Sequence, residues 1–419
     1  MTALTAIDLS DGVPVPAGSP FTPANLPFGV AGGRVHVAVG DHAVDVAAAA
    51  GFGLLDVDPA IVDGCRLDGL LAAGPPTWRG LREEVASILR TEPERLAKAM
   101  VDRTALSMGL PVTIGDYVDG YAGLHHATNL GRILRPDSEP LLPNWRHLPV
   151  AYHGRAGTVV VGGGEIARPS GQVLVDGAPV LAPSAQLDIE LELGAVVGVG
   201  NEDGRPIPVD EADGHLFGFV LVNDWSARDI QAWEYQPLGP FLGKSFATSV
   251  SPWVVTVDAL APHRVAGLAA EQDPEPLSYL RGDPAVPDLH LTVDLASARM
   301  RDEGAEPFRV GEVDLAPSLY WTPAQQLAHC TVNGASVRAG DLLASGTISG
   351  PDHTTQAGSL IERTWRGAEP FTLSTGEERS FLADGDEVVL DGWAGTGEDK
   401  VGFGPLSGTI VAAHGGVGS

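Results

Sequence analysis

Gln186-Leu-Asp-Ile-Glu-Leu-Glu-Leu193 alternates polar and apolar residues without a break and runs on into Ala195-Val-Val-Gly-Val199. Strict alternation is the period of a β-strand, whose successive side chains point to opposite faces. On such a strand Gln186, Asp188, Glu190 and Glu192 share one face, and Leu187, Ile189, Leu191 and Leu193 the other. Carboxylates crowded on one face repel unless water or a cation neutralises them. One reading is an amphipathic strand with a wet face. The apolar continuation supports another, a strand entering the core, where buried acids need a metal or cationic side chains.

Outward from this stretch the texture is mainly β. Turn-punctuated strand signals recur at 157–161, 173–175, 187–199, 216–222, 289–293 and 387–390. Helical patterns after residue 112 are few: 121–134, 226–235 and 323–330. Before it, strands at 33–39 and 43–46 flank a Gly40-Asp41 turn, and 81–90 has helical spacing with a break at Pro93. The expectation is a mainly β (α+β) protein with a small N-terminal domain, 1–115, and a large catalytic domain, 116–419.

The second informative stretch, Gly218 to Tyr235, is an apolar strand ending in Asn223-Asp224 and followed by a short helix. Asp224, Arg228, Gln231 and Tyr235 have the spacing of one helical face. That suits either a surface ion pair or a site at a strand's end. Pro237 to Thr248 is dense in Gly and Pro around one cation, Lys244, which is either solvated or deliberately held. Asp116 to Thr128 gathers acids, two tyrosines and the pair His125-His126; Asp119 and His126 share a face if both are helical. Ala344 to Pro351, with Glu362 beyond it, reads as a plain turn or as a carboxylate-receiving loop.

Composition narrows the possibilities. With 26 Lys+Arg against 54 Asp+Glu, the 419-residue chain carries a formal charge of −28. That argues against a nucleic-acid partner, which requires clustered cations. An anionic substrate can still bind where a few cations converge. Cys65 and Cys330 alone provide no disulfide framework or zinc-ligand spacing, so a reduced, cytoplasmic setting is expected. The N-terminus lacks the pattern of a signal peptide, and no apolar run is long enough for a membrane span. There is no GxSxG elbow, HExxH or EF-hand loop. A metal, if bound, would take oxygen ligands from distant segments, favouring Ca²⁺ or Mg²⁺ over zinc.

The motifs GDYVDGY, HHATNLGRILR, LLPNWRHLPVAYHGRAGTVV, QLDIELELGAVVG, LVNDWSARDIQAWEYQPLGPFLGKSFATSVSPWV and GDLLASGTISGP closely resemble the fumarylacetoacetate hydrolase family. NLPFGV and VAVGDHAVD near the start, and VVLDGWAGTG and VGFGPLSGTI near the end, extend the likeness over nearly the whole chain. The resemblance implies an SH3-like N-terminal β-barrel domain, a C-terminal β-roll and a homodimer. It implies hydrolysis of a carbon–carbon bond in a small diketo acid, 4-fumarylacetoacetate, to fumarate and acetoacetate, the last step of tyrosine breakdown. Carried over by residue, Asp119, Glu190, Glu192 and Asp224 resemble Ca²⁺ ligands, and Lys244 and Thr248 a Mg²⁺-associated site beside Asp224. His126 resembles the general base and Glu362 the acid that orients it. Arg228, Gln231 and Lys244 match groups around the reacting carbonyl and leaving group. Tyr121, Arg135, Tyr235 and Thr347 match substrate contacts, with Tyr152 nearby. His125 departs from the family pattern, where a long polar residue is expected.

This chemistry suits the residue types. A 1,3-diketone chelates a hard cation through two oxygens, a neutral imidazole takes a proton from water near neutral pH, and developing oxyanion and carbanion charges need fixed donors. The nearest alternative is an acylpyruvate hydrolase or a related diketo-acid decarboxylase. A catalytically dead calcium-binding scaffold is the rival from another class.

Overall fold

The computed structural model describes residues 9, 12–201 and 204–415. The longest sheet has twelve strands. Its main path runs Met100–Asp102, His42–Asp45, Arg34–Val39, Phe28–Ala31, Trp253–Thr256, Leu216–Asp224, Leu191–Val197, Leu342–Ala344, Tyr117–Gly120 and Ala151–His153. A six-stranded sheet, built around His290–Ala296, Glu387–Ala394 and Leu406–Val411, packs against it.

Leu216–Asp224 is the hinge of the architecture. All nine residues are buried, as expected for a strand covered on both faces. Leu216, Phe219 and Leu221 join the core shared with the six-stranded sheet. Phe217, Val220 and Val222 point into a second core with Phe28, Trp78 and Val254. The edge-on contact of Trp78 with Phe217, at 5.3 Å between centroids, and Phe28 at 5.6 Å tie the N-terminal elements to this strand. The N-terminal strands are also hydrogen-bonded into the large sheet, with Phe28 opposite Val254.

The expected Gly40-Asp41 turn is present, with Gly40 at φ +56°, a conformation open to glycine at little steric cost. The N-terminal region holds more helix than its sequence suggested. The strand read at 43–46 ends at Asp45, whose side chain caps Val46–Gly51 by accepting from Ala48 N. The helix read at 81–90 extends over Pro75–Thr91, starting at a proline that suits a first turn. The helices read at 121–134 and 226–235 begin later, at Leu124 and Arg228. Among the described residues, no helix is long and apolar enough to cross a membrane.

Candidate functional site

Strand order brings the acids to one end of the large sheet. Leu191–Val197 runs antiparallel to Leu216–Asp224, with Leu191 opposite Asn223, so Glu190, Glu192 and Asp224 meet. Ala344 pairs with Gly194 on one side and Asp119 on the other, which adds the fourth acid. Carboxylate oxygens of Asp119, Glu190, Glu192 and Asp224 all lie within 4.8 Å of one another, and all four residues are buried.

The alternation that singled out these acids holds only in part. The strand is interrupted between Asp188 and Leu191: Leu187–Asp188 pairs with Ser226–Ala227, whereas Leu191–Val197 joins the large sheet. The interruption takes Asp188 away from the cluster. Its carboxylate accepts from Arg228 Nε at 2.7 Å and from the backbone N–H groups of Leu360 and Ile361 at 2.6 and 3.0 Å. The wet face is also absent, since Glu190 and Glu192 are 4% and 0% exposed. Asp119 and Asp224 are both strand residues, so the helical spacings to His126 and Arg228 do not apply. Arg228 pairs with Asp188 and, through Nη1, with Glu190 at 2.7 Å, not with Asp224.

Lys244 is buried, not solvated. Its ammonium contacts Glu190 and lies 2.9 Å from Asp224 Oδ2. Asp224 also accepts from Thr248 Oγ1 at 2.7 Å and Tyr152 OH at 3.1 Å. Burial opposes the charge on Glu190, but Lys244, Arg228 and His126 outweigh it and hold that carboxyl at about 2. Asp119 and Glu192 go the other way. Burial and then the neighbouring carboxylates push both well above the usual range. Asp119 Oδ1 and Glu192 Oε1 are buried without a hydrogen-bond partner. Unpartnered buried acceptors are rare and costly. A hard cation bound by oxygens would satisfy both and offset the excess negative charge, so these residues fit a metal of the Ca²⁺ or Mg²⁺ type.

His126 lies on the helix Leu124–Leu134 with its Nδ1 2.6 Å from Glu362 Oε2. Glu362 sits on the short helix Leu360–Arg363 and accepts also from Asn129 Nδ2 at 2.9 Å, Ser349 Oγ at 2.8 Å and Ser359 Oγ at 2.7 Å. Burial works against its charge, yet His126 and these hydrogen bonds hold the carboxyl at about 2. Tyr121 stands edge-on to the His126 ring at 5.7 Å. Asn129 escaped the sequence reading, although its position three residues after His126 puts both on one helical face. Ser349 belongs to the 344–351 stretch read as able to receive a carboxylate, and it donates to Glu362; Ser359 had no such signal.

The loop after Ala344 is buried and receives carboxylates, as one of its two readings had it, instead of being a plain turn. Gly346, at φ +76°, donates its N–H to Glu192 Oε2 at 3.2 Å. Thr347 Oγ1 and Arg228 Nη2 are buried donors without partners. Gln231 Oε1 accepts from Arg228 Nη1 at 3.1 Å. Tyr152, Asp224 and Lys244 line a cavity of about 360 Å³, of the size that takes a small organic acid. Arg135 is at the end of the His126 helix, near enough to Tyr121 to influence its phenol. Tyr235 and Gln231 lie together along a smaller cavity with Arg228. His125 is half-buried, and burial lowers its imidazole below the ordinary value.

The family described as fumarylacetoacetate hydrolase C-terminal matches residues 117–411, and fumarylacetoacetase N-terminal matches residues 24–111. The chain is 43% identical to a fumarylacetoacetase of Rattus norvegicus and 42% identical to that of Homo sapiens, in each case over 96% of this chain and 98% of the relative. An Arabidopsis thaliana fumarylacetoacetase is 43% identical over 96% and 98%. Among solved structures, a fumarylacetoacetate hydrolase from Exiguobacterium antarcticum aligns with a TM-score of 0.53 at 16% identity, covering 93% of this chain and 99% of that one. A maleylpyruvate hydrolase from Sphingobium sp. SYK-6 gives 0.51 at 16%, covering 92% and 100%; at that identity, both likenesses speak to the fold alone. The chain belongs to the fumarylacetoacetate hydrolase family.

Proposed function

We propose that this chain hydrolyses 4-fumarylacetoacetate to fumarate and acetoacetate. The observation that carries the reading is the buried His126–Glu362 pair beside four inward carboxylates, in a chain about 43% identical to fumarylacetoacetases along almost its whole length. With Nδ1 engaged by Glu362, the His126 Nε2 is the atom left to take a proton from water. Glu362 holds the tautomer and stabilises the imidazolium that forms. Arg228 Nη2 and Thr347 Oγ1, both unpartnered donors, are available to oxygens that gain charge, with Lys244 and Gln231 beside them. Tyr121, Arg135, Tyr152 and Tyr235 hold the substrate.

The Asp119, Glu190, Glu192 and Asp224 carboxylates would hold Ca²⁺, and Lys244 and Thr248 flank Asp224 in a Mg²⁺-associated position. Such an ion, when bound, polarises both oxygens of a 1,3-diketone. We further propose a homodimer working in the cytoplasm, with a domain boundary near residue 115. The family likeness supports the dimer, the two free cysteines support a reduced compartment, and the break between the matched regions supports the boundary. No specific observation favours the acylpyruvate reading over relatives of this identity.

The test is fumarate release from fumarylacetoacetate by the purified protein, with and without a chelator. His126→Ala should lose about 10²–10⁴-fold in turnover while Ca²⁺ still raises its melting temperature. Undiminished turnover in that variant removes His126 from the mechanism.

A further inference from the structure

Fumarylacetoacetate ends in a carboxylate at each side of its diketone, so a site that takes it needs two cations with charge to spare. The cations at the acid cluster have none. Arg228 is committed to Asp188 and Glu190, and Lys244 to Glu190 and Asp224. Elsewhere Arg168, Arg264, Arg309 and Arg379 are each held by acids. Arg135 is one exception: its Nη2 donates only to the Pro140 carbonyl, at 3.0 Å, and its Nε is buried without a partner.

Arg366 is another. It is exposed at the rim of the fold, and among the described residues its guanidinium has no carboxylate within ion-pair distance and no hydrogen bond to protein. It lines a cavity of about 40 Å³ with Arg228, Gln231, Tyr235, Leu134 and Ile361. One water needs roughly 10–15 Å³ of such space, so the cavity has room for a carboxylate group. Leu134 immediately precedes Arg135, and Ile361 immediately precedes Glu362. The cavity therefore borders the elements that carry Arg135 and the partner of His126.

The backbone at Arg366 is itself unusual. Trp365 and Arg366 have φ of +46° and +58°, left-handed values for two consecutive non-glycine residues. Such strain persists only where the surroundings enforce it, and it concentrates at ligand-binding positions. Here the enforcement is local: Arg366 N donates to Ile361 O at 2.7 Å, and Gly367 N to Thr364 Oγ1 at 3.0 Å. The sharp reversal after the Glu362 helix returns the chain so that the Arg366 side chain borders the cavity.

We infer that Arg366 is a specificity-determining residue that binds one of the two terminal carboxylates of the substrate, in a pocket with Gln231 and Tyr235. The inference rests on the proposed fumarylacetoacetate reading and deepens it. Planar, bidentate recognition of a carboxylate is what a guanidinium does best.

The test uses the full chain and three probes: fumarylacetoacetate; fumarylacetone, which lacks the carboxylate of the acetoacetate end; and triacetic acid, in which acetyl replaces the fumaroyl end. Arg366→Gln should lower kcat/KM for fumarylacetoacetate about ten- to hundredfold, mainly through KM. It should lower it equally for the analogue that keeps the recognised carboxylate and leave the other analogue unaffected. Arg366→Lys should restore part of the loss. Arg366→Gly, which relieves the left-handed strain, should melt no lower than the parent yet show the same loss of discrimination. A fall that is equal on all three probes, or absent from all three, overturns the role of Arg366 while leaving the hydrolase reading intact. No turnover of fumarylacetoacetate by the parent protein overturns the hydrolase reading and this inference with it.

Discussion

Asp188 and Glu192 are four residues apart and equally buried, yet their surroundings could hardly differ more. Asp188 is saturated by Arg228 and by the N–H groups at the start of the Leu360–Arg363 helix. Glu362, on that helix, is likewise saturated by His126, Asn129, Ser349 and Ser359. Glu192 and its neighbour Asp119 each keep one oxygen without a partner. The charges of the first pair are matched by fixed donors within the fold, whether the acid anchors Arg228, as Asp188 does, or orients His126, as Glu362 does. The second pair is incomplete without something positive from outside. Burial by itself therefore does not separate a structural acid from a functional one. Completeness of hydrogen bonding adds what burial lacks: it singles out Asp119 and Glu192 as the acids with an oxygen to spare.

The sharpest way to break this contrast is Asp188→Asn. Replacing the carboxylate leaves Arg228 with a buried charge no longer matched at that end, which should cost about 3–5 kcal/mol, seen in chemical denaturation and not recovered by adding Ca²⁺. Glu362→Gln should remove an acid limb. In the parent the Glu362 carboxyl falls from 4.5 to about 2. Its stabilisation is therefore present above the ordinary value and lost as pH falls towards 2. The variant should show a flatter stability profile over that window, by roughly 2–3 kcal/mol.

Glu192→Gln should do the opposite of Asp188→Asn. Its carboxyl is pushed upward, so at neutral pH the metal-free protein should be no less stable for losing the charge. Its Ca²⁺ affinity, measured by calorimetry, should fall by at least the roughly 10–100-fold typical of removing even an outer partner of a metal ligand. A Glu192→Gln protein that is much less stable without metal would erase the distinction. The smallest effect belongs to Tyr152→Phe, which removes one hydrogen bond to Asp224 and should cost about 0.5–1.5 kcal/mol in stability or substrate binding.

Much of the fold was legible because local patterns are strong where burial is one- or two-sided. The apolar run ending in Asn223-Asp224 is the central strand, and the Gly40 turn stands where Gly-Asp announced it. The short helices at Val46–Gly51 and Leu360–Arg363 were not legible. Each is about one turn long or little more, below the length at which helical periodicity declares itself, and each is held by packing instead of propensity. In the site, alternation found Glu190 and Glu192 but wrongly added Asp188, because a strand break leaves no mark on an alternating pattern. Helical spacing linked Asp224 to Arg228 and Asp119 to His126, although both acids are on strands.

The sequence by itself determined the mainly β character, the residue types needed for oxygen-ligand metal binding and proton transfer, and the family likeness carried by long motifs. Tertiary structure alone decided which acids are satisfied and which are not. That outcome depends on strands 119, 190–192 and 224 being brought edge to edge, and on which donors reach each oxygen. Several of those donors come from segments more than a hundred residues away, as His126 and Asn129 do for Glu362 and the Leu360 and Ile361 N–H groups do for Asp188. Pairings at such separations are set by sheet order and core packing, which no local pattern encodes.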